Sequence, residues 1–172
     1  MMNKKIQKAF NQQINEEFFS AYLYMSMAAY FESINLKGFG VWMRVQVQEE
    51  LIHAARFFNF VLNRGGKVEL AAIEAPQKEW DSPLAAFQAA LEHENHITGC
   101  INELVDLSIK ESDHAANNFM QWYVSEQVEE EANVASVVEN LKLMGDAKGG
   151  LFMMDRELGT RTLPPTAMAA LQ

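Results

Sequence analysis

The sequence predicts an all-α protein: a bundle of four long helices, with a long crossover between the second and third helices and a short fifth helix near the C-terminus. Four long segments carry apolar side chains at steps of three and four residues, which places them on one face of a helix. Turn-forming residues separate these segments, and one separation is much longer than the others. No stretch alternates apolar and polar residues as a strand would.

The first predicted helix spans about 4–33 and the second about 39–63, with residues 33–38 as their connection. The second helix ends before Gly65, because glycine readily adopts the positive φ that often follows a helix terminus. A connection of only a few residues makes neighbouring helices run in opposite directions. The first two helices should therefore form an antiparallel hairpin.

The third and fourth predicted helices form a second antiparallel hairpin. Ser82 caps the third helix, Pro83 lies in its first turn, and the helix runs to about Lys110. Residues 112–113 open the fourth helix, which lasts to about Met144. The two helices are again joined by a few residues, so they should also pack side by side.

A short fifth helix is predicted over about 147–158, after Gly145, and the pair of prolines at 164–165 ends regular structure. The length of 172 residues is that of one domain. We therefore expect a single domain over 1–160 and a C-terminal tail over 161–172.

The long separation between the second and third helices, 65–81, decides the topology. It contains Pro76 and shows no helical period. An extended link of this size can reach roughly 50 Å, whereas a helix of about 25 residues is roughly 38 Å long. The link can therefore travel the full length of the bundle and start the third helix parallel to the second.

Each long helix carries one glutamate in the middle of its otherwise apolar face: Glu17, Glu50, Glu94 and Glu130. Glutamate is almost never fully buried unless its charge is paired. In the predicted topology the four carboxylates meet at one level of the bundle, where they would repel one another strongly. A bound metal cation is the simplest way to neutralise them.

A histidine follows one of these glutamates at the spacing Glu-x-x-His, formed by Glu50 and His53. Residues three apart lie on adjacent turns of one helix face. Imidazole together with several carboxylates suits iron or manganese better than a structural zinc ion. By itself the pair also fits a solvated glutamate beside an ordinary core or surface histidine. The other three glutamates are what favour a metal site.

Composition and charge limit the possible partners and location. A net charge of −9 argues against nucleic acid as a partner. The longest apolar stretch, 21–31, is about half of what a membrane span needs. Cys100 is the only cysteine, which excludes an internal disulfide and a cysteine-ligated cluster. No secretion signal is recognisable, so we expect a cytoplasmic protein without a membrane partner.

The chain resembles the non-haem ferritins of prokaryotes over about 3–158. The resemblance is most specific in four stretches: NEE at 15–17, QEELIH at 48–53, HE at 93–94 and QWYVSEQVEEE at 121–131. It implies a ferritin-like bundle that stores iron inside the cell and oxidises Fe(II) with O2 or H2O2. It also implies a homo-oligomer, a hollow shell of 24 subunits with ferric mineral inside.

The resemblance also implies a role for each central glutamate. Glu17, Glu50 and His53 would hold the first iron ion of a ferroxidase centre. Glu50 would bridge to a second iron ion, which Glu94 and Glu130 would complete.

A third iron site, toward the inner cavity, is implied for Glu49, Glu126 and Glu129 together with Glu130. Three of these acids come close to the proposed bridge from two neighbouring helices. The alternative is that Glu49, Glu126 and Glu129 form an ordinary exposed acidic face. The sequence leaves this alternative open.

Two further side chains match positions beside the centre in this family, and a third lies near it. Gln127 lies one turn before Glu130 and matches an amide kept next to the metal pair. Tyr24 lies two turns after Glu17 and matches a tyrosine that could donate an electron, and Trp122 is a second oxidisable neighbour. Tyr24 and Trp122 could equally be core aromatics without a redox role.

No haem is expected. Bacterioferritins bind haem through a methionine, and the matching position here is Leu51. They also carry a second Glu-x-x-His on the last long helix, where this chain has 127–130 without histidine. The family pattern does not explain the tail after Gly159.

Two other functions remain compatible with the sequence. One is a di-metal oxidase or peroxidase that acts on a small substrate. The other is a metal-free helical scaffold or interaction protein. Titration with Fe(II) in air separates both from iron storage, because only storage keeps a large excess of ferric iron in solution.

Overall fold

A computed structural model of the chain describes residues 2–145 and 148–163. It contains five α-helices: α1 Lys4–Ser33, α2 Lys37–Asn63, α3 Pro83–Lys110, α4 His114–Met144 and α5 Lys148–Leu158. There is no strand among the described residues, so the predicted all-α class is confirmed. The predicted start of the fifth helix at 147 and the prolines at 164–165 lie outside the described residues.

Helices α1, α3 and α4 each begin at a residue whose side chain caps the helix N-terminus. The side chain of Asn3 accepts a hydrogen bond from the backbone N–H of Lys5 at the start of α1. Ser82 and Asp113 cap α3 and α4 in the same way. Each cap satisfies a backbone N–H that has no partner within the helix.

Helix α2 begins at Lys37, two residues earlier than predicted. Its N-terminus is capped from a distant part of the chain, because the Oδ1 atom of Asp155 in α5 accepts from the backbone N–H of Gly38 at 2.7 Å and of Phe39 at 3.2 Å. A cap that comes from 117 residues away leaves no local signal. It also fastens α5 to the start of α2.

The order of contacts along the helices confirms the predicted topology. On α1 and α3, Glu16 faces His96 and Phe31 faces Phe87, so the two helices are antiparallel. On α1 and α2, Phe10 packs against Phe57, whereas Glu32 pairs with Arg44. Both α2 and α3 therefore run opposite to α1 and parallel to each other.

The crossover, residues 64–82, follows α1 along most of its length. The backbone N–H of Lys67 donates to Gln7 at 3.0 Å, and the carbonyl of Gln77 accepts from the hydroxyl of Ser26 at 2.6 Å. Gln7 and Ser26 are about 28 Å apart along the helix axis at 1.5 Å per residue. The crossover thus carries the chain from one end of the bundle to the other, as its length predicted.

The apolar core consists of two clusters. The Phe31 cluster includes Met27, Phe31, Phe39, Trp42, Met43, Phe87, Val138 and Leu141. The Phe10 cluster includes Ile6, Phe10, Ile14, Phe57, Val61, Ile101, Met120 and Tyr123. The side chains between these clusters, at the middle of all four long helices, are largely polar. Burial of aromatic and aliphatic side chains on both sides stabilises the folded bundle and so keeps the polar layer buried.

No helix in the described part of the chain is long and apolar enough to cross a membrane.

Candidate metal centre

The polar layer between the two core clusters contains all five side chains that the sequence analysis assigned to the first two metal ions. They are no more than 3 % exposed: Glu17, Glu50, His53, Glu94 and Glu130. Four carboxyl groups removed from water at one level carry a large electrostatic penalty if all are ionised. This arrangement therefore requires protons or cations.

Three of these side chains face one another closely. The Nδ1 atom of His53 lies 3.2 Å from Oε2 of Glu50 and 3.8 Å from Oε2 of Glu17. All three candidate ligand atoms lie within 4.8 Å of one another. One divalent ion placed among them could contact two carboxylate oxygens and one ring nitrogen, a donor set that suits iron. All three side chains come from the first hairpin, α1 and α2.

A second group of ligand atoms joins α2 to α4. His53, Glu126 and Glu130 also offer atoms within 4.8 Å of one another. The other ring nitrogen of His53, Nε2, lies 4.0 Å from Oε1 of Glu126. The imidazole therefore stands between two sets of carboxylates. Among the described residues Glu94 lies in neither group.

Glu94 is instead held beside the centre by two neighbours. The hydroxyl of Tyr24 donates to Oε1 of Glu94, and the amide of Gln127 donates to Oε2 at 3.2 Å. Tyr24 is fully buried, and Gln127 is 4 % exposed. Hydrogen bonds of this kind fix the orientation of a carboxylate. Both residues were singled out in the sequence as neighbours of the centre.

Two further amides, which the sequence pattern did not predict, orient the carboxylates. The amide of Gln13 donates to Oε1 of Glu17, and the amide of Gln46 donates to Oε2 of Glu130, each at 2.9 Å. Both glutamines are buried. The sequence could have indicated both glutamines as buried neighbours of the centre. Gln13 lies four residues before Glu17 and Gln46 four before Glu50, on helix faces that are otherwise apolar.

One carboxylate oxygen at the centre has no hydrogen-bond partner among the described residues. Oε2 of Glu17 is buried and unpaired, although Oε1 of the same group is satisfied by Gln13. A buried polar atom without a partner is costly. This oxygen faces Nδ1 of His53, so a cation between Glu17 and His53 would satisfy it.

The electrostatics of the layer favour protonated carboxyl groups when no cation is bound. Burial, with a smaller contribution from the charge of Glu50, raises the pKa of Glu17 to about 8. Burial, followed by the charge of Glu130, raises the pKa of Glu94 to about 7. Burial raises the pKa of Glu50 well above its usual range. A cation that binds here must displace protons near neutral pH.

The four acids assigned to a third iron site have different surroundings. Glu49 is buried, Glu126 is half-buried and Glu129 is exposed, whereas Glu130 belongs to the buried layer. Burial raises the pKa of Glu49 to about 7 even though Arg161 opposes the shift. The carboxylate of Glu49 accepts a hydrogen bond from Arg161 at 2.8 Å.

Two aromatic side chains adjoin His53. The ring of Trp122 lies 5.5 Å from the imidazole and the ring of Tyr123 5.9 Å, both edge to face. The hydroxyl of Tyr123 donates to the backbone carbonyl of His53 at 2.8 Å. The guanidinium of Arg56 lies 3.8 Å above the centre of the Trp122 ring. These contacts hold the histidine in one orientation.

A four-helix bundle with a crossover and a buried carboxylate–histidine layer defines a class of metal-binding helical proteins. A sequence profile of the ferritin-like domain matches residues 7–144. The chain belongs to the ferritin-like family, and the predicted resemblance to the prokaryotic non-haem ferritins is confirmed.

Individual relatives cover nearly the whole chain. It is 40 % identical over 161 residues to the bacterial non-heme ferritin of Bacteroides fragilis. The alignment covers 94 % of this chain and 100 % of that protein. A probable bacterial non-heme ferritin-like protein of Haemophilus influenzae is 37 % identical, over 92 % of this chain and 96 % of its own length.

Solved structures agree with the sequence relatives. An open pore ferritin from the hyperthermophilic archaeon Archaeoglobus fulgidus superposes with a TM-score of 0.93 at 55 % identity. The match covers 94 % of this chain and 100 % of that one. A closed form of the same ferritin, engineered by site-directed mutagenesis, gives a TM-score of 0.94 at 54 % identity, over 95 % and 100 % of the two chains.

Proposed function

We propose that this protein stores iron: it oxidises Fe(II) with O2 or H2O2 at a di-iron ferroxidase centre and deposits Fe(III) mineral inside a hollow homo-oligomeric shell of 24 subunits. The observation that carries the proposal is the buried group of Glu17, Glu50 and His53, whose ligand atoms lie within 4.8 Å of one another in the middle of a ferritin-like bundle. Iron is the substrate and the cargo in this proposal.

In the proposed centre Glu17, Glu50 and His53 bind the first Fe(II) ion, and Glu50 bridges to a second ion bound by Glu94 and Glu130. Four carboxylates match the total charge of two Fe(II) ions, which makes the buried layer neutral. Two Fe(II) ions together supply the two electrons that reduce O2 to H2O2, with two protons taken up. The protein contributes a fixed geometry and charge balance.

The neighbours of the ligands have supporting roles in this proposal. Gln127 and Tyr24 orient Glu94 through hydrogen bonds, while Gln13 and Gln46 orient Glu17 and Glu130. Tyr24 is also close enough to Glu94 to act as an electron donor to bound iron. We propose no haem, no nucleic acid and no membrane as partners.

The proposal includes a third iron site, at Glu49, Glu126, Glu129 and Glu130, through which iron leaves the pair for the cavity. It also includes a cytoplasmic location. A single cysteine, Cys100, which is free, is compatible with a reducing compartment.

The proposal is tested by aerobic titration with Fe(II), comparing the wild-type protein with Glu17→Ala and Glu16→Ala. Wild-type protein should oxidise Fe(II) rapidly and keep far more ferric iron in solution than the two or three ions per chain that its carboxylates can bind. Glu17→Ala should lose rapid oxidation, because the first ion loses a ligand. Glu16→Ala should behave as wild type, because Glu16 faces His96 outside the centre.

Other outcomes of this titration would contradict storage. Oxidation that stops after two or three ions per chain would favour a small-substrate oxidase, and no oxidation would favour a scaffold. The shell is checked separately by electron microscopy of the purified protein, which should show hollow particles. Monomers or dimers at working concentration would contradict it.

A further inference from the structure

Arg161 lies beyond the end of α5, yet its side chain reaches the polar layer of the bundle. Its Nη2 atom donates to Oε2 of Glu49 at 2.8 Å. The two side chains are 17 % and 6 % exposed, so the pair is largely shielded from water. A cation is therefore already present at one of the carboxylates assigned to the third iron site.

The chain leading to Arg161 is fixed to α2 by close packing. Asp155 caps the N-terminus of α2 through the N–H of Gly38. A Cβ atom on Gly38 would lie 1.5 Å from the carbonyl oxygen of Asp155, and one on Gly159 would lie 3.2 Å from the Cα atom of Gly38. Beyond this anchor the guanidinium of Arg161 lies 4.2 Å from the centre of the Trp42 ring. The arginine is thus aimed at Glu49 by its surroundings.

The hold of Arg161 on Glu49 is incomplete. Arg64 and Asp113 form a two-pronged pair elsewhere in the bundle, with both terminal nitrogens bonded at 3.0 Å. Arg161 instead donates through one nitrogen, and its buried Nη1 atom has no hydrogen-bond partner among the described residues. A pair held by one hydrogen bond is weaker than the bidentate pair that an arginine can form with a carboxylate. Such a contact can be exchanged for another cation.

Glu49 is also placed where a competing cation would be attracted. Burial is the largest cause of its raised pKa, and the charges of Glu130 and Glu126 raise it further while Arg161 lowers it. Among the described residues, however, Glu49 does not join the groups of ligand atoms that lie within 4.8 Å. The arginine holds its carboxylate instead.

We propose that Arg161 is a tethered cation that takes the place of the third iron ion at Glu49, so that Glu49 binds iron only when Arg161 withdraws. This inference rests on the proposed function, because it concerns how the third iron site is filled. Iron and guanidinium compete for the same carboxylate oxygen. The C-terminal segment therefore controls when iron can move from the central pair onto Glu49.

The test is anaerobic Fe(II) binding to the full chain, as wild type and as Arg161→Gln, Arg161→Lys and Arg156→Gln. All four should bind the first two ions equally, which also shows that the centre is folded. Arg161→Gln should tighten the third binding step about tenfold, the size expected when one charged hydrogen bond no longer competes. Arg161→Lys keeps a competing charge and should lie near wild type. Arg156→Gln removes a charge from an exposed position on α5 and should have no effect.

A double variant separates competition from a structural effect. With Glu49→Gln present, Arg161→Gln should no longer change the third step, because the contested carboxylate is gone. An unchanged third step in Arg161→Gln alone, with two ions still bound, would overturn the inference and leave the di-iron centre standing. A failure of wild-type protein to bind the first two ions would overturn the proposed function, and this inference with it.

Discussion

Glu130 takes part in two of the proposed iron sites. It shares the second group of ligand atoms with His53 and Glu126. After burial, which is the larger cause, its charge also raises the pKa of Glu94. The amide of Gln46 holds its Oε2 atom at 2.9 Å. A change at this one side chain should therefore affect both the central pair and the exit of iron.

Replacing Glu130 with alanine should slow the initial rate of Fe(II) oxidation about 100-fold or more, because loss of groups that merely orient ligands already costs about 10–100-fold. Stopped-flow absorbance of ferric iron measures this rate. Glu139→Ala is the matched control, since Glu139 lies on the same helix with an exposed side chain paired to Lys142. Wild-type rates in Glu130→Ala would contradict the ligand assignment.

Tyr24→Phe should keep the packing of the buried ring but remove the hydroxyl that donates to Glu94. We expect Fe(II) binding to persist and oxidation to slow about tenfold, as for loss of other groups that orient ligands. Parallel measurement of anaerobic binding and oxidation separates the two steps. Tyr30→Phe is the control, because Tyr30 lies on the same helix and its ring packs against Phe31 and Trp80 rather than against the carboxylates. An unchanged oxidation rate in Tyr24→Phe would leave Tyr24 as a core aromatic.

The sequence predicted which buried glutamates lie together in the polar layer, with Gln127 beside them, but it did not predict the amides of Gln13 and Gln46. A glutamate on an apolar helix face stands out, since charge is rarely buried. Gln13 and Gln46 occupy the same faces, but an uncharged amide is a weaker signal. Arg161 could not be predicted at all, because its contact with Glu49 depends on how α5 docks 112 residues away in sequence.

At the scale of elements, α5 is fixed to the start of α2 by a helix cap and by close backbone packing. Gly38 has no room for a side chain, and Asp155 supplies the cap that Leu36 cannot. Helix bounds with local signals, such as the Ser82 cap of α3, were predicted correctly. The start of α2 was predicted two residues late, because its signal lies on another helix.

Gly38→Ala should destabilise the protein by about 1–3 kcal/mol, the usual effect of forcing extra volume into a packed site. The new methyl group would clash with the backbone of Asp155, which cannot yield as a flexible side chain would. Gly99→Ala is the matched control within α3, where nothing lies within 4 Å of the added atom. That change should stabilise by about 0.5–1 kcal/mol, because glycine weakens a helix interior. Thermal unfolding measures both changes in stability. Equal effects would contradict the close packing of α5 against the start of α2.

At the scale of the whole molecule, the buried acids make stability depend on pH and on metal. Glu17, Glu49 and Glu94 have pKa values raised to between about 7 and about 8 in the folded protein, from 4.5 in the ordinary state. The folded chain therefore binds more protons than the unfolded chain in this range. The resulting stabilisation is complete below pH 4.5 and is lost as pH rises through about 7 to 8.

Metal-free protein should accordingly lose stability between pH 5 and pH 8, by about 1.4 kcal/mol per pH unit for each such group within its range. Thermal unfolding at a fixed heating rate across this range measures the slope. Glu17→Gln should flatten it, and saturation with redox-inert Zn(II) should flatten it as well, because the ion replaces the protons. A metal-free protein that becomes more stable toward pH 8 would contradict the raised pKa values.

The division of ligands between the two hairpins has a mechanical consequence. Glu17, Glu50 and His53 all belong to α1 and α2, whereas Glu94 and Glu130 belong to α3 and α4. Under the proposed assignment, the α1–α2 hairpin supplies every ligand of the first ion. The second ion is bound by both hairpins and therefore links them. In this assignment the first ion can bind before the second, and loss of the second ion would remove the metal link between the two hairpins.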